Sequence, residues 1–178
     1  MAVALLGACA SRKPTVRDGF LVSATIDGGA LHYTDGCTGC QDSPGTGMNL
    51  QVGYMLGHSG KLAGVVDIGA LKVWPEDFDP VTHVAVMGGI RYWATQALWF
   101  SGGLGVGGTA FGAGEDDSVA NGVAGTAMAG YDIVQWKTTA LLVTVASTMG
   151  DYTEGFAFDV RAGFGFMFIP DFSPNQPP

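Results

Sequence analysis

Between Gly19 and Tyr33 apolar side chains return at every second residue, with Phe20, Val22, Ala24 and Ile26 on one side and Ser23, Thr25 and Asp27 on the other. Met48 to Gly57 repeats the pattern, with Met48, Leu50, Val52, Tyr54 and Leu56 alternating against Asn49, Gln51 and Gly53. It is cleanest near the end, where Phe156, Phe158, Val160, Phe164, Phe166 and Phe168 share a face opposite Asp159, Arg161, Gly163 and Gly165. A period of two puts each set on one face of a β-strand, whereas a helix would scatter it. The same test along the chain gives eight strands, at 19–33, 47–57, 61–74, 81–93, 97–111, 119–134, 138–149 and 155–168.

Composition removes the competing classes. Only 13% of residues are charged and 47% are apolar, with 29 Gly in 178 residues. That is too apolar for disorder and too poorly charged for an ordinary soluble surface. A net charge of -8 with no Lys/Arg run excludes nucleic acid as a partner. The longest uncharged stretch, Tyr92 to Gly114, is long enough for a spanning helix, but its glycines would make that helix weak.

The connections alternate in character. Those after strands one, three and five (34–46, 75–80 and 112–118), and a shorter one at 150–154, are rich in Gly, Pro or Asp. Those at 58–60, 94–96 and 135–137 are tight. This describes an all-β, eight-stranded antiparallel up-and-down barrel with long loops at one end and short turns at the other.

Volume and charge decide which face is outside. An eight-stranded barrel has an interior only just wide enough for side chains. The Phe residues of the last strand, with Phe20, Tyr54, Tyr92 and Phe100, would overfill it, whereas the opposite face is built from Gly, Ala, Ser and Thr. The apolar face is therefore expected to look into lipid, making this a transmembrane β-barrel. Phe20, Tyr54, Tyr92, Phe100, Tyr131, Phe166 and Phe168 share outward parity at the short-turn end, as an interfacial girdle would. A soluble lipocalin-like ligand-binding barrel is the alternative, separable by extraction without detergent.

The eight alternating strands, the acidic loops on one side and the terminal aromatic strand Gly163-Phe164-Gly165-Phe166-Met167-Phe168 resemble the small outer-membrane barrels of Gram-negative bacteria, the OmpA and OmpX type. The resemblance covers about residues 19–168. It implies the bacterial outer membrane as location, lipid and lipopolysaccharide as surroundings, and a final Phe, here Phe168, read by the barrel-insertion machinery. A monomer is expected. A second alternative is a transport barrel of the OmpW type.

The ends fit export. Leu6-Gly7-Ala8-Cys9 resembles the lipobox of bacterial lipoproteins, which would make Cys9 a lipidation site; the other reading is the remnant of an ordinary export signal. Residues 1–18 then form signal remnant and periplasmic linker, with Arg12, Lys13 and Arg17 on the periplasmic side, and the Pro-rich tail 169–178 is disordered.

Several motifs carry less than their letters suggest. Cys37 and Cys40 have redox-motif spacing but no helix start, and read best as a small loop disulfide. Gly103 to Gly108 fits the dinucleotide pattern only inside a strand, where no helix N-terminus could meet a pyrophosphate. Gly57-His58-Ser59-Gly60 is a turn. Lipid A deacylases and palmitoyltransferases are small barrels that pair His with Ser, but His32 and Ser23 face opposite ways and His83, though inward, has no Ser beside it. No enzyme activity, cofactor or metal is expected.

The inward charges are more informative. Asp27, Asp67, Arg91, Asp132, Asp159 and Arg161 all have lumen parity and must be paired or hydrated there. Asp27 is expected to pair with Arg161 across the closing seam, and Arg91 with Asp67 or Asp132. They would form either a polar filling or a gated, proton-sensitive pore. Asp35, Asp42, Glu76, Asp77, Asp79, Glu115, Asp116, Asp117, Asp151 and Glu154 collect on the long-loop side, as solvated surface or as a divalent-cation or recognition patch.

Overall fold

The computed structural model describes residues 17–34, 43–57, 59–75, 79–111, 118–136, 138–153 and 155–170. Its strands are β1 (Phe20–Tyr33), β2 (Ser43–Leu56), β3 (Leu62–Val73), β4 (Val81–Trp93), β5 (Leu98–Phe111), β6 (Ser118–Gln135), β7 (Thr139–Tyr152) and β8 (Gly155–Phe168). Each pairs antiparallel with the next, and β1 closes on β8 through the register Val22↔Phe168 to Tyr33↔Ala157. Closure leaves no unpaired strand edge.

Alternation sets the two faces. Ile26, Met48, Leu104, Val106, Val123, Phe164 and Phe166 stand outward, each at least 60% exposed, while their strand neighbours are buried or half-buried. Phe20 is opposite Tyr54, Tyr92 is opposite Phe100 and Tyr131 is opposite Leu98, so the exposed aromatics form a ring at the short-turn end.

The turns have local causes. Gly57 and Gly60 flank the β2–β3 turn with φ of 72° and 61°, a left-handed conformation that a side chain disfavours. In the β4–β5 turn the Thr95 hydroxyl accepts from the backbone N–H groups of Ala97 (3.2 Å) and Leu98 (2.9 Å), satisfying donors that the ladder has not yet taken up.

Two boundaries and one register differ from the sequence reading. Strand β2 begins at Ser43, so Pro44 to Thr46 pair with β1, Pro44 lying opposite Ala30. Strand β7 runs through Tyr152, so only Thr153 and Glu154 separate it from β8 and the loop expected at 150–154 is a hairpin turn. In β6 the register shifts between Asp132 and Val134, a bulge that leaves Ile133 and Val134 both outward and returns Gln135 toward the lumen.

Candidate functional site: a lumen plugged at both ends

The interior is stratified. At the short-turn end Leu21, Met55, Trp93, Trp99, Leu142 and Met167 form an apolar floor. At the long-loop end Leu31, Tyr33, Leu71, Val73, Val81 and Tyr152 form an apolar cap. Between and against them lie the polar and ionised side chains, almost all under 9% exposed. The inward face is therefore not only small and ionic, as the sequence suggested: two Trp and several Leu close its ends.

All six expected charges point inward and are buried, at 4% or less. The pairings are different from those anticipated. Asp27 lies opposite Gly163, and Arg161 opposite Gly29, so the barrel's stagger separates them. Arg161 turns along its own strand and donates from Nε to Asp159 (2.9 Å) and from Nη2 to the Thr148 hydroxyl (2.7 Å). Asp27 has no hydrogen-bond or ion-pair partner among the described residues; its carboxylate lies over Gly163, where a Cβ would collide with it.

Nor does Arg91 reach a carboxylate. It donates to Ser23 Oγ (3.1 Å) and to Met167 Sδ (3.1 Å), and its guanidinium stacks 3.7 Å from the Trp99 ring centre. A desolvated guanidinium over an indole face is stabilised by the ring quadrupole, the more so away from water. Asp67 accepts from Asn49 Nδ2 (2.6 Å) and Gln51 Nε2 (2.9 Å), amides in place of a cation.

Two groups missed in the sequence complete the ends. Arg17, expected in the periplasmic linker, turns into the floor: it pairs with Asp132 (3.3 Å), donates to the Gln96 carbonyl and lies 4.8 Å from the Trp93 ring centre. Burial draws its guanidinium below the usual arginine range, and the Asp132 carboxylate opposes that shift. Asp132 also accepts from Trp99 Nε1 (3.1 Å) and Gln135 Nε2 (3.0 Å), the latter brought round by the β6 bulge.

At the cap, His83 is 2.7 Å from Asp159 through Nδ1 and 2.5 Å from the Tyr152 hydroxyl through Nε2. The Tyr152 side chain folds down over Gly150, where any Cβ would meet its ring, and its hydroxyl lies 2.8 Å from where a Cβ on Gly107 would be. The hydroxyl partner sought for His83 as a serine is thus a tyrosine from the strand end.

Cys9, Cys37 and Cys40 lie outside the described residues, as do the loop acids other than Asp79 and Asp151, which are exposed. Gly103 to Gly108 lie within β5, and among the described residues no helix follows. Among the described residues no cluster of His, Cys, Asp and Glu is arranged to hold a metal ion.

No family model and no curated protein sequence matches the chain. Solved structures do. Neisserial surface protein A is similar with a TM-score of 0.71 at 14% identity, over 85% of this chain and 97% of that one. Ail, the attachment invasion locus protein of Yersinia pestis, crystallised with the heparin analogue sucrose octasulfate, gives 0.62 at 12% identity, over 84% and 99%. The outer membrane protein OprG from Pseudomonas aeruginosa gives 0.51 at 15% identity, over 89% and 100%. The chain has the fold of the small eight-stranded outer-membrane barrels.

Proposed function

We propose that this chain is an integral barrel of the bacterial outer membrane, monomeric and non-catalytic, with a structural or surface-interaction role. The observation that carries the reading is its inverted layering, with a continuous apolar wall outside and ionised groups inside. An exposed apolar surface of this extent suits lipid and not water. Lumen charges suit a barrel whose wall spares them the bilayer. Apolar plugs at both mouths argue against a general porin or a transport barrel.

The surroundings follow from this placement: lipid and lipopolysaccharide around the wall, and the insertion machinery reading the strand that ends at Phe168. Residues 1–18 and 169–178 flank the barrel on the periplasmic side. Asp79 and Asp151 on the long-loop side, and a net charge of -8, favour a cationic partner or lipopolysaccharide bridged by divalent cations over a sulfated polyanion such as the one bound to Ail. The Cys37–Cys40 disulfide and acylation of Cys9 belong to the same reading and are checked by the mass of the mature protein.

The deciding experiment refolds the chain in detergent and transfers it to planar bilayers. Folded protein should migrate differently on a gel before and after heating and should show no sustained conductance. A steady open state would replace the plugged reading with the transport one, and a chain that stays in solution after washing without detergent would remove the membrane altogether. An epitope inserted after Asp116 should be reached by antibody on intact cells.

A further inference from the structure

His83 ties β4 to β7 and β8 at the cap, and the positions of its hydrogens can be assigned. An ionised Asp159 only accepts, so the hydrogen between them sits on Nδ1 and Nε2 is left to accept from the Tyr152 hydroxyl. Among the described residues the charged or titratable groups around the imidazole are Asp159 and, behind it, Arg161 from β8, Tyr152 from β7 and, in the same cap as Tyr152, Tyr33 from β1. Its register partners on β3 and β5 are Leu71 and Thr109, which bring no charge.

A second proton on His83 has to go to Nε2. It turns Nε2 into a donor, so the phenol must turn round to accept and gives up its own donation. It also leaves a net positive charge in the cap, because Asp159 is already matched by Arg161. Both changes bear on a side chain at the last position of β7, beside a two-residue turn and folded back over Gly150.

From this geometry we propose that His83 is a proton-operated catch on the outer plug. Neutral, it holds the Tyr152 phenol down over Gly150 and Gly107; protonated, it lets the phenol swing out, so acid admits water to the outer half of the lumen while Trp93 and Trp99 keep the inner mouth shut. The catch rests on the closed-barrel reading given above.

The test uses a thiol in place of Thr109, which is wholly buried beside His83 in the ladder. In a chain whose native cysteines are replaced by serine, T109C is reconstituted in liposomes and exposed to a membrane-impermeant methanethiosulfonate at about pH 7.5 and about pH 5, with and without H83Q. Dividing the two rates at each pH cancels the thiol's own ionisation. The ratio of His83 protein to H83Q protein should rise at least about tenfold in acid. An unchanged ratio overturns the catch.

Should H83Q fail to fold, Y152F decides: it keeps the ring and loses the hydroxyl, and should be labelled faster than the unaltered cap already at neutral pH. Equal slow rates would overturn the proposal. Absence of a heat-modifiable, liposome-inserted form would instead count against the barrel reading itself, whereas an inserted barrel with pH-independent labelling counts against the catch alone.

Discussion

Asp132 shows how much one lumen carboxylate holds together. It is the common acceptor of Arg17, Trp99 and Gln135, so D132A strands a buried cation and an indole N–H at once. Breaking a buried pair from one side costs about 3 kcal/mol, and urea unfolding of the micelle-folded protein should show a loss of that size. D132N, which keeps an acceptor oxygen, should lose less. Glycines divide just as sharply. At Gly150 a methyl would run into the Tyr152 ring, so G150A should cost about 2 kcal/mol through overpacking. At outward Gly88 nothing lies within 4 Å of an added Cβ. G88A should stay within about 0.5 kcal/mol in the same assay.

For a strand, what matters is which face a residue takes. Leu104, in the middle of β5 and 74% exposed, stands on the lipid-facing wall. An arginine there should destabilise the barrel by about 3 kcal/mol in liposomes, a loss that refolding titrations would read. Such facing was legible in the sequence because parity survives an error of a residue or two in a boundary. Which lumen charges meet was not. Pairing depends on the stagger between strands, and that stagger sets Asp27 against Gly163 and sends Arg161 to its own-strand neighbour Asp159. The sequence marks Tyr152 as loop because Gly150 and Asp151 carry turn chemistry, yet both continue the ladder, opposite Ala157 and Phe156. The inward Trp93 and Trp99 sit where strand meets turn, and there the alternation that fixes facing runs out. Arg17 precedes the first alternating segment and has no periodic signal to announce that it turns inward.

Across the whole molecule, the floor, the polar middle and the cap are built on the same strands, with β2 alone bringing no apolar side chain to the cap, so none of them can loosen far without the others. Trp93 and Trp99, wholly buried, report on the floor alone once the half-exposed Trp74 and Trp136 are replaced by Phe. Their fluorescence and the far-ultraviolet signal of the strands should change at one denaturant concentration, and two separated transitions would contradict a cooperative barrel. The location of the ionised groups also bears on how the tube is made. A hairpin of β7 and β8 crossing a bilayer alone would drag Asp159 and Arg161 through hydrocarbon with no wall to shelter them. Entry into the bilayer and the meeting of first and last strands therefore have to advance together, and a half-inserted sheet is a state this chain is built to avoid.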